Sequence, residues 1–440
     1  MLHIIKRQRI ELQLPQGEDS FSIQQKLSDQ YWEFFVPLMD EILNGLSKEN
    51  KVLSLESLTI DLGKLKLSDL DGMKSNSQLI ENIRQQFEEQ IWKEKSTKNV
   101  LNFQDKAHAN FNKWFSYLRE GFLDWNVEFP IDDWYEHVLE TLSSNLETLN
   151  HFILEVDRSP NFRIRLIRQH PDSFLNRLIK VIAPKFEKLI EKKATELYTF
   201  ESLNKDLASD RLKERREQFW LELLLAVSTD FFSPNQADSQ SHIELIKPEN
   251  YSNSSPVDNP VRSFDEFKDS SDIKEAIFLD YVGLVLLHPF LSSLFKRLDL
   301  LQDKDFKNVE AKEKAIHLLH FAATGTDQPK EYELVIPKIF CAYPIKAAIP
   351  ISMELSNGEK EEVNAMLEAC IANWEILKKT SIDGLRESFL QRKGKVELGM
   401  EMITVQVEKG SVDMLLDYLP WSLNMIKFPW LKQLIHVEWR

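Results

Sequence analysis

Glycine and cysteine are both scarce in this chain of 440 residues, which contains 12 glycines and two cysteines. A phosphate-binding loop needs several glycines at fixed spacing, and the sequence contains neither G-x-G-x-x-G nor G-x-x-x-x-G-K-[ST]. This excludes the common nucleotide-binding enzymes, and no motif predicts a cofactor. Cys341 and Cys370 cannot build a disulfide framework and form no Cys-x-x-Cys pair, which favours a reducing compartment.

Positive charge and long apolar runs are also lacking. The net charge of −15 argues against a nucleic-acid binder that neutralises phosphates. The most apolar runs, YVGLVLLHPFL and FWLELLLAV, are shorter than the ~20 residues that a membrane span requires. The first residues, MLHIIKRQRIELQL, mix apolar and charged side chains and do not resemble a signal peptide. We therefore predict a cytoplasmic protein without a membrane span.

The apolar residues that are present predict an α+β protein that is mostly helical. Residues 9–14 and 52–62 alternate apolar and polar side chains, as half-buried strands do. A segment with helical spacing follows each of them, so residues 1–99 are predicted to form a small β-α-β-α unit. A two-stranded pair is marginal on its own, and its apolar face must be covered by these helices or by a partner chain.

The rest of the chain divides into three regions by composition. Residues 100–232 show one helical pattern after another, interrupted by prolines. Residues 233–272 are rich in Ser, Asn, Asp and Pro, which predicts a disordered linker. Residues 273–440 are predicted to form a C-terminal α+β domain, with several helices followed by a small β-hairpin or sheet that includes KVEL and MITVQV.

The stretch TSIDGLRESFLQRKGKVE, residues 380–397, concentrates charged residues around two glycines. Asp383 and Glu387 are four residues apart, but Arg386 between them favours ion pairing over a shared proton. The pattern changes from helical to alternating across Gly394, where a glycine readily adopts a left-handed conformation. We interpret the stretch as an architectural turn, with a catalytic loop as the alternative.

Histidines offer a second candidate for chemistry. His317 and His320 are three residues apart on a predicted helix, one turn after Glu313, a spacing that can place three ligands on one face. No fourth ligand is evident and leucines surround both histidines, which favours packed histidines over a metal site. His288 precedes Pro289 and is predicted to end a helix. A metal-dependent hydrolase that uses His288, His317 and His320 is the enzymatic alternative.

Three tryptophans surround the predicted strand SLNMIKF near the end of the sequence. Trp421 and Trp430 each follow a proline, and Trp439 comes shortly afterwards. Indole rings in such a cluster form either part of a core or an interaction hot spot for a partner.

A family resemblance is carried by segments of residues 275–439. The segments are VGLVLLHPFL, HLLHFAATG, YELVIPKIFCAYP, NWEILKKTSIDGLRESFLQRKGKV and LPWSLNMIKFPW with HVEW. Their order and spacing resemble the tape measure proteins of contractile injection systems, the phage-tail-like particles of bacteria. HIIKRQRIELQL and LESLTIDLGKL are similar to the start of that family. The middle departs from it, because GFLDWN at 121–126 lacks the proline and the second tryptophan of the family's Gly-Thr-Leu-Pro-Trp-Trp.

The resemblance implies a structural component without enzymatic activity. It would lie with the inner tube and help to set tube length between the baseplate spike and the cap, with tube, spike, baseplate or cap proteins as partners, and it is compatible with an oligomer. In this picture Asp383, Arg386, Phe389, Arg392 and Gly394 form a structural signature. Its two arginines would bridge helix and strand, or meet acidic groups on a partner.

Length limits the ruler interpretation. A continuous helix over residues 76–232 would reach roughly 235 Å at 1.5 Å per residue, but prolines and separate apolar patterns break the helical pattern. A compact factor that initiates the tube is the nearest variation. A chaperone or scaffold for cargo in the tube lumen is a further alternative, which the acidic charge and the predicted linker permit.

Overall fold

The computed structural model describes residues 3–439 apart from a set of gaps. These gaps are 4, 6–7, 12, 15–18, 47–50, 54–57, 65–75, 98–102, 128–133, 188–208, 233–275 and 351–352. The predicted linker at 233–272 lies outside the described residues. The chain forms two compact units, one of residues 1–112 and 128–138 and one of residues 113–127 and 139–440.

Helices make up most of the first unit. Its elements are α1 (Ser20–Gln30), a π-helical turn (Tyr31–Phe35), α2 (Val36–Leu46), β1 (Lys51–Leu53), α3 (Ser77–Thr97), β2 (Phe103–Asp105) and the first residues of α4 (Lys106–Glu120) and α5 (Trp134–Ser144). The strands β1 and β2 pair antiparallel, with Val52 opposite Gln104. The core lies between the helices and contains Ile23, Phe34, Leu38, Ile42, Leu79, Ile83 and Phe87.

The predicted β-α-β-α layout of residues 1–99 is not supported. Described residues of 9–14 form no strand, and of 52–62 only residues 52 and 53 lie in one. Side-chain amides of α3 take the place of a neighbouring strand. Gln86 accepts from the Asp61 N–H at 2.8 Å and donates to the Asp61 carbonyl at 2.6 Å. In the same way, Gln90 accepts from the Thr59 N–H and donates to the Thr59 carbonyl. The alternating pattern therefore places Leu58, Ile60 and Leu62 against the helical core without a sheet.

Residues 113–232 are mostly helical where they are described. After α4 and α5 come α6 (Leu146–Arg158), α7 (Pro160–Gln169), α8 (Asp172–Ile182), a 3-10 turn (Pro184–Phe186) and α9 (Ser209–Phe232). Ser159 begins α7 by accepting from the Phe162 N–H, with Pro160 in the first turn. Pro171 likewise precedes α8. Pro160 and Pro171 thus mark the starts of α7 and α8, as the sequence predicts. The described parts of 113–127 and 139–232 are called the helical segment below.

Residues 276–439 are called the C-terminal segment and combine short helices with a sheet. The elements are β3 (Ile277–Leu279), a 3-10 helix (Val282–Leu287), α10 (His288–Arg297), β4 (Leu301–Gln302), β5 (Asp305–Phe306), α11 (Val309–Thr324), a 3-10 turn (Glu331–Leu334), α12 (Val335–Phe340), α13 (Asn357–Asn373), a 3-10 turn (Glu375–Leu377), α14 (Ile382–Leu385), a π-helical turn (Arg386–Leu390), β6 (Gly394–Leu398), β7 (Met402–Val407), a 3-10 helix (Asp413–Tyr418), β8 (Met425–Ile426) and β9 (Leu434–Glu438).

The strands of this segment form the predicted C-terminal sheet, which has five strands among the described residues. Its order is β3-β6-β7-β9-β8. The predicted strands β6 and β7 pair antiparallel, with Val396 opposite Val405, and β9 lies parallel to β7. At one edge, β3 pairs antiparallel with β6.

The pattern of residues 273–298 predicted one helix, but the structure divides its described residues into β3, a 3-10 helix and α10. Tyr281 has φ 62°, a left-handed conformation that interrupts a helix, so a strand precedes it and a 3-10 helix follows. His288 begins α10 rather than ending a helix. The reason is that Pro289 stands in the first turn, where its missing N–H removes no hydrogen bond.

The buried apolar side chains of the C-terminal segment form one continuous cluster from Ile277 to Trp439. Among the described residues, Phe122 is the one side chain from outside the segment that packs against this cluster. The C-terminal segment therefore has a core largely of its own.

Candidate functional site

The stretch at 380–397 joins a helix to the central strands of the sheet. Ser381 begins α14, because its Oγ accepts from the Gly384 N–H at 3.0 Å. The backbone then widens into the π-helical turn Arg386–Leu390 and enters β6 at Gly394. The change of sequence period thus marks a real change from helix to strand.

Arg386 is buried and binds the carboxyl end of α11. Its Nε donates to the Ala322 carbonyl at 3.1 Å, and its guanidinium lies 5.7 Å from the Phe321 ring centre. Gln391 donates to the neighbouring Ala323 carbonyl at 3.0 Å. These carbonyls have no partner within the helix, and a cation near them is favourable. Arg386 also binds Asp383 at 2.9 Å.

Arg392 links the turn to the 3-10 helix Asp413–Tyr418. Its Nε donates to the Ser388 carbonyl at 2.7 Å, and its Nη2 donates to Asp413 Oδ1 at 2.8 Å. The other carboxylate oxygen of Asp413 accepts from the Gly410 N–H at 2.8 Å. Both signature arginines therefore bind partners within the chain, and Asp413 is a site residue that the sequence interpretation missed.

Two glycines permit close backbone approach at the turn. Gly394 does not adopt the left-handed conformation that we expected, since its φ is not positive. A Cβ there would lie 2.3 Å from the Gln406 carbonyl oxygen, so a close strand contact explains the glycine. A Cβ at Gly283 would lie 1.8 Å from the Phe389 carbonyl oxygen. Sequence reasoning did not single out Gly283.

The apolar and acidic residues of the turn point to architecture. Leu385, Phe389 and Leu390 are buried, and the Phe389 ring lies 4.8 Å from that of Trp374. Asp383 has a side chain that is 80% exposed, and Glu387 is exposed. The two carboxylates do not converge on an enclosed cleft, which acid–base hydrolysis would need.

The three C-terminal tryptophans pack into the C-terminal segment. Trp430 is buried, and its Nε1 donates to the Phe340 carbonyl at 2.6 Å. Trp421 is half-buried and donates to the Leu286 carbonyl at 3.1 Å. Trp439 is buried in the same apolar cluster. Of the two alternatives, this geometry supports the core.

The histidines are held by separate local contacts. His317 is buried, with Nδ1 2.8 Å from the Glu313 carbonyl, and His320 is buried with Nε2 3.3 Å from a Glu333 carboxylate oxygen. His288 contacts the Val285 carbonyl at 3.0 Å, and burial lowers its pKa. Among the residues that the structure describes, no group of three or more His, Cys, Asp or Glu side chains could hold a metal ion.

A buried charge cluster lies where the helical and C-terminal segments meet. Glu331 Oε1 accepts from Arg165 Nη2 at 3.1 Å and from Lys338 Nζ at 2.8 Å, and all three side chains are fully buried. Lys338 also donates to the carbonyls of Ile345 and Ala347 at 3.0 and 2.8 Å. Composition alone gave no signal for this cluster.

The cluster holds Glu331 as a carboxylate. Burial raises the pKa of Glu331, but the adjacent Arg165 and Lys338 outweigh it, so this pKa lies below its ordinary value. Burial lowers the pKa of Lys338. Gly121 lies beside the cluster with φ 83°, and a Cβ there would be 2.7 Å from Arg165 Nη2. A side chain at this position would displace the guanidinium.

Comparison with known families identifies the class of protein to which the chain belongs. The family model of the contractile injection system tape measure protein matches residues 2–439. The chain belongs to this family. No curated protein and no solved structure matches the chain in the corresponding comparisons. The match confirms the resemblance and extends it to the whole length, including residues 121–126 that depart from the family pattern.

Membership of the tape measure family makes this a structural component of a contractile injection system. The contacts agree with that class, because polar side chains of the motifs bind backbone groups of other motif segments. No helix in the described ranges has both the length and the apolar character needed to cross a membrane.

Proposed function

We propose that this tape measure protein acts at the inner tube, where it initiates tube assembly or sets tube length between the baseplate spike and the cap. The observation that supports this role most is the family match over residues 2–439. Tube, spike, baseplate or cap proteins are the partners that this role requires. Assembly would take place in the cytoplasm, and the chain would then reside in the particle.

The helix lengths favour initiation over measurement by one extended helix. The longest helix among the described residues, Ser209–Phe232, has 24 residues and is about 36 Å long. The preceding helices of the helical segment end at caps and prolines after 10 to 15 residues. In this form the chain acts as a compact assembly factor.

Deletion of the gene, with measurement of tube length by electron microscopy, tests the proposal. An initiation factor predicts far fewer tubes and recovery on complementation. A ruler predicts tubes of uncontrolled length, and lengths that change when a helix is duplicated. Normal tubes in normal number would contradict both roles.

Mass spectrometry of purified particles and of the complexes that the chain forms in cells tests its location and partners. We expect the chain together with tube, spike or cap proteins. Recovery with a toxin cargo and without these proteins would favour the cargo chaperone instead.

A further inference from the structure

Hydrogen bonds, ion pairs and an aromatic contact join the helical segment to the C-terminal segment. The apolar cluster of the C-terminal segment takes in Phe122 from outside and otherwise draws on its own described residues. The bridging contacts are Arg165 with Glu331 and with the Lys346 carbonyl, Gln169 with Glu331, Asn161 with the Ala348 N–H, Glu120 with Lys346, and Tyr117 with Tyr332. Polar groups in such an interface regain water when the segments separate, so separation costs less than at a large apolar interface.

Two cations share one hydrogen-bonded carboxylate at the centre of this interface. Arg165 and Lys338 both bind Glu331 in a site without solvent exposure, and Glu313 acts on Lys338 from outside this set. Arg165 Nε is buried with no acceptor among the described residues. Buried charges lose their hydration, and a buried donor without an acceptor adds to that cost, so the bound arrangement is weakened.

Withdrawal of Arg165 would leave the C-terminal segment well satisfied. Glu331 would keep its ion pair with Lys338, and Lys338 would keep the Ile345 and Ala347 carbonyls. Arg165 itself would gain water. The arrangement therefore has a second state in which no buried charge of the C-terminal segment is left unpaired.

We propose that the helical segment is a docked module, which Arg165 holds on the C-terminal segment and which is released when the chain enters the particle. This inference rests on the function proposed above and adds a conformational step to it. Release frees the helical segment and the surface around Lys346 and Ala348 for contacts with particle proteins.

A disulfide across the interface tests the release step in the full chain. Asn161 Oδ1 accepts from the Ala348 N–H at 3.3 Å, so the pair Asn161→Cys and Ala348→Cys is chosen for the bridge, and thiol titration of the oxidised protein establishes that the bridge forms. The two native cysteines are buried. Each variant is expressed in cells that lack the native copy. The lysates of these cells are oxidised or reduced before particles assemble, and the amount of the variant incorporated into particles is then measured. Each single-cysteine variant serves as the control.

We expect the oxidised double variant to enter particles at least tenfold less than the same protein after reduction. Equal incorporation of both forms would overturn the release step. If the wild type, the single-cysteine variants and the reduced double variant are all absent from particles, the proposed function is overturned. The release step is then overturned as well.

Hydrogen exchange on the isolated full chain tests the docking independently of particles. Arg165→Met should speed exchange of the Ala348 amide at least tenfold. Arg163→Met is the matched control, because Arg163 lies on the same helix but binds the Val156 and Asp157 carbonyls of the helical segment at 2.6 and 2.7 Å. Unchanged exchange in Arg165→Met, or equal acceleration in both variants, would overturn the role of Arg165.

Discussion

Replacement of Arg386 by methionine tests the architectural interpretation of the 380–397 turn. Methionine retains much of the apolar stem and removes the guanidinium. The Ala322 and Phe321 carbonyls then lose donors at 3.1 and 3.4 Å, and Asp383 loses its ion pair. Because Arg386 is only 8% exposed, water does not readily replace these donors.

The expected loss follows from the separate contacts. A hydrogen bond from a charged donor contributes about 1.5–3 kcal/mol, and the longer bond to Phe321 contributes less than the bond to Ala322. The Asp383 side chain is 80% exposed, so its ion pair adds at most about 1 kcal/mol. We expect Arg386→Met to lower the free energy of unfolding by about 3 kcal/mol.

Urea unfolding of the full chain, combined with hydrogen exchange, measures this effect. The Gly325 amide donates to the Phe321 carbonyl at 2.8 Å, and it should exchange faster when the end of α11 frays. Asp383→Asn is the control and should cost less than about 1 kcal/mol. Equal losses in the two variants would refute the capping role, as would a loss below about 1 kcal/mol in Arg386→Met.

Phe389→Ala should cost about 3–5 kcal/mol by urea unfolding because it opens a cavity beside Trp374; a loss under about 1 kcal/mol would mean that the ring is not core. Gly283→Ala should prevent native packing of the turn, because its Cβ would lie 1.8 Å from a carbonyl oxygen, and an unchanged melting temperature would contradict that contact. Burial lowers the pKa of His170 from 6.5 to about 4 in the folded chain. As the pH falls from 6.5 to 4, this histidine therefore binds a proton in the unfolded chain before it does so in the folded chain. The free energy of unfolding should fall by about 3 kcal/mol over this range. His170→Gln should flatten this slope, and an identical slope would assign it to other groups.

Local patterns in the sequence predicted local structure well. The change of period across Gly394 marked the passage from helix to strand, and the spacing of Leu385 and Phe389 placed them in the core. Pro160 and Pro171 correctly predicted where two helices of residues 113–232 begin. These features depend on neighbours within a few residues, which a single sequence displays directly.

Features that depend on distant residues were not predictable in the same way. Glu331 and Arg165 are 166 positions apart, and neither has a local pattern that names the other. β3 joins the sheet by pairing with β6, and this contact decides the strand where the local pattern favoured a helix. Residues 52–62 do alternate apolar and polar side chains. At Asp61, however, a glutamine side chain of α3 binds the backbone N–H and carbonyl where a neighbouring strand would otherwise do so.

The segments that carry the family resemblance contact each other in space. Trp421 donates to the Leu286 carbonyl in VGLVLLHPFL, and Trp430 donates to the Phe340 carbonyl in YELVIPKIFCAYP. Arg386 binds the Ala322 carbonyl in HLLHFAATG, and Gly283 leaves room for the backbone at Phe389. In each contact a side chain, or the lack of one, meets a backbone group of another segment. Such contacts specify how the segments pack, whereas a catalytic site would direct its polar atoms toward a substrate. Substitutions in these motifs should therefore change stability and assembly together, and a motif variant that folds with wild-type stability should assemble normally.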